Sequence, residues 1–131
     1  MRTREILFRG KRTYNGEWVE GLPSYDINGN MGDIVVYKGF CNCPTVGVKP
    51  ETVCQYIGVN DKNDKKIFEG DICIIRSSSI DEEDGYFVVK WDNEISRFCF
   101  DGDGITVDFG RYYGHEIEVI GNTYDNPELL N

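Results

Sequence analysis

Glu116-Ile117-Glu118-Val119-Ile120-Gly121 is the stretch on which the fold turns. Ile117 and Val119 alternate with Glu116 and Glu118, a period of two that belongs to a strand with one face in a core and one in water. The same alternation recurs upstream. Across residues 86–91 it sets Phe87, Val89 and Trp91 on one face, and Phe98 with Phe100 share a face after the Asp92-Asn93 turn. Ile72-Cys73-Ile74-Ile75 follows a glycine turn at Gly70-Asp71, and residues 53–59 read as a strand ahead of the polar loop 60–66. Five short strands between residues 53 and 121 suffice for a small SH3-like or partly open β-barrel, in which closure protects strand edges. Pro127-Glu128-Leu129-Leu130 reads as a single turn whose leucines cover the edge of the core.

Towards the N-terminus the pattern is sparser. Residues 3–9 read as a strand with Ile6 and Phe8 on one face, and Asn15-Gly16 ahead of Glu17-Trp18-Val19-Glu20 reads as a tight hairpin turn. Residues 22–32 are rich in turn formers, Ile34-Val35-Val36-Tyr37 reads as a short strand, and residues 38–50 read as a loop punctuated by Gly39, Pro44, Gly47 and Pro50. Three such strands are too few to bury much alone. The expected organisation is therefore an N-terminal β-hairpin extension with its loop at 1–49 and a barrel-like domain at 50–131.

Composition narrows the function classes. The chain has 131 residues, enough for a core that needs neither metal nor disulfide staple. Residues 1–49 carry seven basic and five acidic side chains (+2), whereas residues 50–131 carry seven basic and eighteen acidic (−11). A field of that sign opposes nonspecific binding to phosphate backbones and favours a basic partner. No run of residues approaches the ~20 apolar positions of a membrane span. The first ten residues lack the apolar core of a signal peptide. A cytoplasmic location is expected.

The candidate chemistries each fall short of their requirements. Five cysteines, an odd number, argue against a secreted disulfide framework, and Cys73 and Cys99 lie in apolar runs as core residues do. Cys41-Asn42-Cys43 is tighter than zinc-ligand spacing, with only Cys54 near as a third ligand and the sole histidine, His115, remote. Asp101-Gly102-Asp103-Gly104-Ile105-Thr106-Val107-Asp108 lacks the fifth-position oxygen and sixth-position glycine of a calcium loop, which leaves a solvated turn. Ser77-Ser78-Ser79 has no glycine-flanked elbow, and no carboxylate spacing singles out an acid–base pair. Neither a cofactor, a metal nor a catalytic residue is expected.

Four separated blocks then carry a resemblance. They are Ile6-Leu7-Phe8-Arg9-Gly10-Lys11 with Gly16-Glu17-Trp18-Val19, Pro50-Glu51-Thr52-Val53-Cys54-Gln55-Tyr56-Ile57-Gly58, Lys66-Ile67-Phe68-Glu69-Gly70-Asp71-Ile72, and Glu118-Val119-Ile120-Gly121-Asn122-Thr123-Tyr124-Asp125-Asn126-Pro127-Glu128-Leu129-Leu130. In this order the chain resembles the YopX family of phage and prophage proteins over nearly its whole length. The resemblance implies a β-rich protein of phage or prophage origin and brings no catalytic residue with it.

These observations favour a noncatalytic protein-binding or assembly module. Its candidate contact elements are Arg4, Arg9, Lys11 and Arg12 on the basic hairpin, and Asp81, Glu82, Glu83 and Asp84 on an acidic connection. The expected partners are a basic host or phage protein and a second copy of the chain. Two alternatives stay open: a nucleic-acid-binding module using the basic hairpin and, behind it, a small hydrolytic enzyme.

Overall fold

The structure, a computed structural model, describes residues 4–75, 85–102, 105–108 and 116–130. Among them the regular elements are β-strands and short 3-10 turns, without an α-helix. The strands form open antiparallel sheets that do not close into a barrel. The mainly β class read from the sequence is the class observed. The chain divides into two compact units, Met1–Tyr56 and Ile57–Asn131. No helix among the described residues is long and apolar enough to cross a membrane.

The first unit holds β1 (Phe8–Lys11), β2 (Trp18–Tyr25), β3 (Met31–Val35), β4 (Thr45–Gly47) and the start of β5 (Cys54–Asn60), in the order β4-β3-β2-β1-β5. Strand β1 begins at Phe8, later than the alternation suggests, because pairing sets its start: Phe8 faces Gly21 on one side and Gln55 on the other. In the turn before β2 only Gly16 takes a left-handed φ, 72°. Asn15 acts instead through its side chain, whose oxygen accepts the Glu17 N–H at 3.0 Å.

Strand β2 runs on through residues whose composition suggests a turn. A Cβ at Gly21 would lie 2.1 Å from the Val35 carbonyl oxygen, so this glycine permits a close approach of β3 and is no turn signal. The segment expected as a loop contains β4. Its exit is tied to β1 by an Arg12–Val48 bridge, by Lys49 N–H donating to the Lys11 carbonyl (2.8 Å) and by Thr13 N–H donating to Gly47 (3.1 Å). The strands thus curl around Val19, Ile34 and Val48, with Phe8, Val36, Val46 and Val53 packed against them. The N-terminal region is therefore more than a hairpin: it has a buried cluster of its own.

The second unit adds β6 (Lys66–Phe68), β7 (Asp71–Ile75), β8 (Gly85–Asp92), β9 (Arg97–Gly102), β10 (Ile105–Asp108) and β11 (Ile117–Asn122). The last five make one sheet in the order β10-β9-β8-β7-β11. Register explains its core. Cys73 faces Phe87 and Val119, Val89 faces Phe100, and Ile75 faces Ile117, so one sheet face collects Cys73, Ile75, Val89, Phe100, Ile117 and Val119. Burying such side chains contributes roughly 1.5–3 kcal/mol for each large one. Of the stretch expected as a turn, Asp101 and Gly102 belong instead to β9 and Ile105–Asp108 to its partner β10, with Thr106 opposite Asp101. Pro127–Leu130 does form a 3-10 turn, but none of its residues is buried and Leu130 is exposed, so its leucines do not cover the core.

Two buried carboxylates tie this unit together. Asp71 accepts the Phe68 N–H at 2.8 Å as the chain enters β7 through Gly70, whose φ is 83°. Asp61 accepts the N–H groups of Asn63 and Lys65 on one oxygen and that of Val119 on the other, each at 2.9 Å. With Lys62 N–H donating to the Ile117 carbonyl at 2.9 Å, the turn after β5 caps the outer side of β11.

Candidate functional site

The basic hairpin is the first candidate, and its geometry divides it. Arg9 and Lys11 are two apart on β1 and share a face; Trp18, opposite Lys11, lies on that face too. The Arg9 guanidinium carbon sits 4.3 Å from the indole centroid and Lys11 Nζ 5.3 Å from it, so one ring serves two cations. Arg9 is only 9% exposed. Arg12 is half-buried, its Nε buried without a hydrogen-bond partner among the described residues. Of the four residues expected to form a cationic surface, Arg4 alone is classed as exposed. The structure brings Arg9 and Lys11 together on an aromatic support.

The acidic connection, Asp81, Glu82, Glu83 and Asp84, lies outside the described residues, as do His115 and the serine run 77–79. The described acidic surface nearest to it in sequence is the far end of the β8–β9 hairpin. There Lys90, Trp91, Asp92, Asn93, Glu94, Cys99 and Asp101 line an open pocket of about 310 Å³. The strand pairing Lys90–Cys99 and Val88–Asp101 puts the ammonium and carboxylate on one face, where Lys90 Nζ meets Asp101 Oδ2 at 2.9 Å. Both partners are substantially exposed, so this pair contributes little to stability. Asp92 Oδ1 accepts the Glu94 N–H at 2.9 Å and fixes the turn.

The spacing places Trp91 on one face with Phe87 and Val89. It is on their face but at the open end of the hairpin, 44% exposed, with Phe98 edge-on to it at 5.1 Å and 74°. Sequence reasoning counted the acidic residues of this region but did not group Asp92, Glu94 and Asp101 at one hairpin end. The Asp92-Asn93 turn was the signal available, since it folds β9 back on β8.

The cysteines separate by burial. Cys54, Cys73 and Cys99 are buried, Cys41 and Cys43 exposed. Burial, helped by the Asp71 and Asp61 carboxylates, pushes the Cys73 thiol far up. Burial, then Asp92 and Asp101, raises that of Cys99. Cys54 is on β5 facing Arg9, and no group of three metal-binding side chains occurs among the described residues.

A family model described as YopX protein matches residues 7–131. The chain belongs to the YopX family. No curated protein matches it. Among solved structures it is similar to protein EF1440 from Enterococcus faecalis, with a TM-score of 0.65 and 23% identity over 98% of this chain and 100% of that one, a likeness of fold.

In this YopX-family chain the four blocks that carry the resemblance hold the fold. Thr52 Oγ1 accepts the Lys11 N–H at 2.9 Å and donates to the Lys49 carbonyl at 2.7 Å. Gly58 and Gly70 take left-handed φ values. In the final block Asn122 Oδ1 accepts the N–H groups of Tyr124 and Asp125, while Asn126 Oδ1 accepts that of Asn122. Each of these contacts satisfies backbone groups in a turn.

Proposed function

We propose that this YopX-family chain is a noncatalytic protein-binding or assembly module of a phage or prophage, and that its acidic second unit recruits a basic protein. The observation that carries the reading is the β8–β9 end, where Asp92, Glu94 and Asp101 line an open pocket and the half-exposed Trp91 indole lies on the other face of the same hairpin end. Carboxylates attract an incoming ammonium or guanidinium and speed association. An aromatic ring adds cation–π attraction and apolar contact, and tryptophan is among the residues that dominate binding energy. The nucleic-acid reading has weaker support, because Arg9 is buried and Arg9 and Lys11 both lie over Trp18.

The test is affinity capture from infected or lysogenic cells, with and without nuclease. Wild type is compared with a Trp91→Ala/Glu94→Gln/Asp101→Asn variant, an Asp81→Asn/Glu82→Gln/Glu83→Gln/Asp84→Asn variant and an Arg4→Gln/Lys11→Gln/Arg12→Gln variant. The expected partner is basic and resists nuclease. Its association slows at least several-fold with the first variant and with added salt, slows further with the second, and is unchanged by the third. Nuclease-sensitive capture lost only with the basic substitutions would overturn the reading in favour of nucleic-acid binding.

A further inference from the structure

Beyond β3 the chain makes a narrow tip. Val36 N–H donates to the Pro44 carbonyl, Lys38 N–H to Asn42 and Asn42 N–H to Gly39, and Gly39 and Asn42 form a bridge. Phe40 and Cys41 are the residues at the corner. Cys41 takes a φ of 60°, a conformation in which glycine or asparagine is usual. Phe40 is fully exposed, and the thiol-bearing residues Cys41 and Cys43 are exposed. Cys43 Sγ lies 4.0 Å from the Gly39 carbonyl oxygen, across the tip.

Two thiols one residue apart cannot have their Cα atoms separated by more than about 7 Å. That limit meets the upper end of the range a disulfide spans, roughly 4.4–6.8 Å. The other three cysteines are buried. We propose that Cys41 and Cys43 form a dithiol modification site that a small-molecule disulfide, such as oxidised glutathione, closes to an intramolecular bridge. One cysteine thiolate attacks a glutathione sulfur, forming a mixed disulfide and expelling one glutathione thiolate. The second cysteine, deprotonated by solvent, attacks the protein sulfur of that mixed disulfide, forms the Cys41–Cys43 bond and expels the second glutathione thiolate. Two electrons pass from the cysteine pair to glutathione, and the two thiol protons end on the released glutathione. A bridge this exposed and this short in loop length is the reducible kind, so the couple responds to the surrounding thiol balance. The oxidised form cross-links the tip that carries Phe40.

The experiment exposes the native full-length chain to graded ratios of oxidised to reduced glutathione, quenches with an alkylating reagent, and reads intact mass and peptide maps. The expected product has lost the mass of two hydrogens, with Cys41 and Cys43 protected from the reagent. Cys54, Cys73 and Cys99 should alkylate only after denaturation, which also reports that each variant is folded. Cys41→Ser and Cys43→Ser should each stop at a single stable glutathione adduct, and reduced glutathione should reopen the wild-type bridge. Two independent adducts on wild type, a bridge between two chains, or no reaction at either residue would overturn the proposal.

Discussion

The turns Asp26-Ile27-Asn28-Gly29-Asn30 and Asp61-Lys62-Asn63-Asp64-Lys65 are the same piece of backbone chemistry in two settings. In each, one aspartate oxygen accepts two N–H groups at 2.9 Å, from Asn28 and Asn30 in the first and from Asn63 and Lys65 in the second. In each the fourth residue has a left-handed φ, 82° at Gly29 and 62° at Asp64. The backbone bonds match as well: Asp26 N–H donates to Asn30 at 2.9 Å, and Asp61 N–H donates to Lys65 at 2.8 Å. The surroundings do not match. Asp26 is exposed and Ile27 is 99% exposed. Asp61 is buried, spends its second oxygen on Val119, and is followed by Lys62, which pairs with Glu118 at 3.1 Å. Local sequence makes the turn; long-range contact decides whether it becomes a strut of the fold.

Removing the carboxylate tests that difference where it is largest. Asp61→Ala leaves three N–H groups without their acceptor, one of them from a buried strand residue, and should cost on the order of 3–5 kcal/mol, given roughly 1.5–3 kcal/mol for each hydrogen bond to a charged group and incomplete additivity. Asp26→Ala removes the same local cap where water can replace it and should cost about 1 kcal/mol. Denaturant unfolding of both variants at neutral pH checks the ratio. Equal losses would mean that the Val119 contact adds nothing.

A second prediction follows from the thiol beside that strut. Cys73 is held protonated by burial and then by the Asp71 and Asp61 carboxylates, so its folded pKa is raised. In the unfolded chain a cysteine ionises near pH 8.5. Above that value the unfolded state has lost a proton that the folded state keeps, and stability therefore falls as pH rises, by about 1.4 kcal/mol per pH unit for one group. Cys99, also raised, adds to the same limb. Cys73→Ala should lower stability at neutral pH by about 1 kcal/mol while flattening the decline between pH 8.5 and 10. An unchanged slope would assign the alkaline loss to other groups.

Alternation carried the strand faces of the second unit correctly, because each of those strands places one side in a single core: Phe87 and Val89, Phe100, Ile117 and Val119 all face as their spacing indicates. Where glycine and proline served a contact instead of a turn, the same method failed. The turn-rich composition from Leu22 onward, Pro23 included, hides the second half of β2, although Pro23 pairs with Ile34 there. Strand β4 has three residues and β10 four, too short to show a period against their turn-rich flanks. The candidate site was legible only as charge. That Arg9 and Lys11 would lie over Trp18 follows from the β1–β2 register, and that Asp101 would meet Lys90 follows from the β8–β9 register; neither is encoded within any one segment. The two buried aspartates were hidden in a polar run and a glycine turn, since nothing local distinguishes a solvated carboxylate from one that caps a distant strand.

The smallest effect lies at the fourth position of the paired turns, and it asks how far local backbone preference alone separates them. An L-residue in the left-handed region costs roughly 1–2 kcal/mol, less for aspartate and asparagine, whose short side chains bond locally. Gly29 has open space where a Cβ would be, so Gly29→Asp brings that backbone cost with no clash, offset in part by a stiffer unfolded chain, and should destabilise by about 0.5 kcal/mol. Asp64→Gly removes the same cost in the second unit but does not recover all of it. The Asp64 carboxylate accepts a bond from Asn60 Nδ2 at 2.9 Å, which is lost. A glycine also makes the unfolded chain freer, which opposes folding by about 0.4–1 kcal/mol. The expected net change for Asp64→Gly is therefore within about 0.5 kcal/mol of zero, and the pair of substitutions should be unequal in size. Adding Asn60→Ala separates the contributions: in that background Asp64→Gly should become favourable by a few tenths of a kcal/mol in thermal unfolding. A gain from Asp64→Gly as large as the loss from Gly29→Asp would mean that the Asn60 bond contributes nothing, and that backbone preference alone sets the balance at both turns.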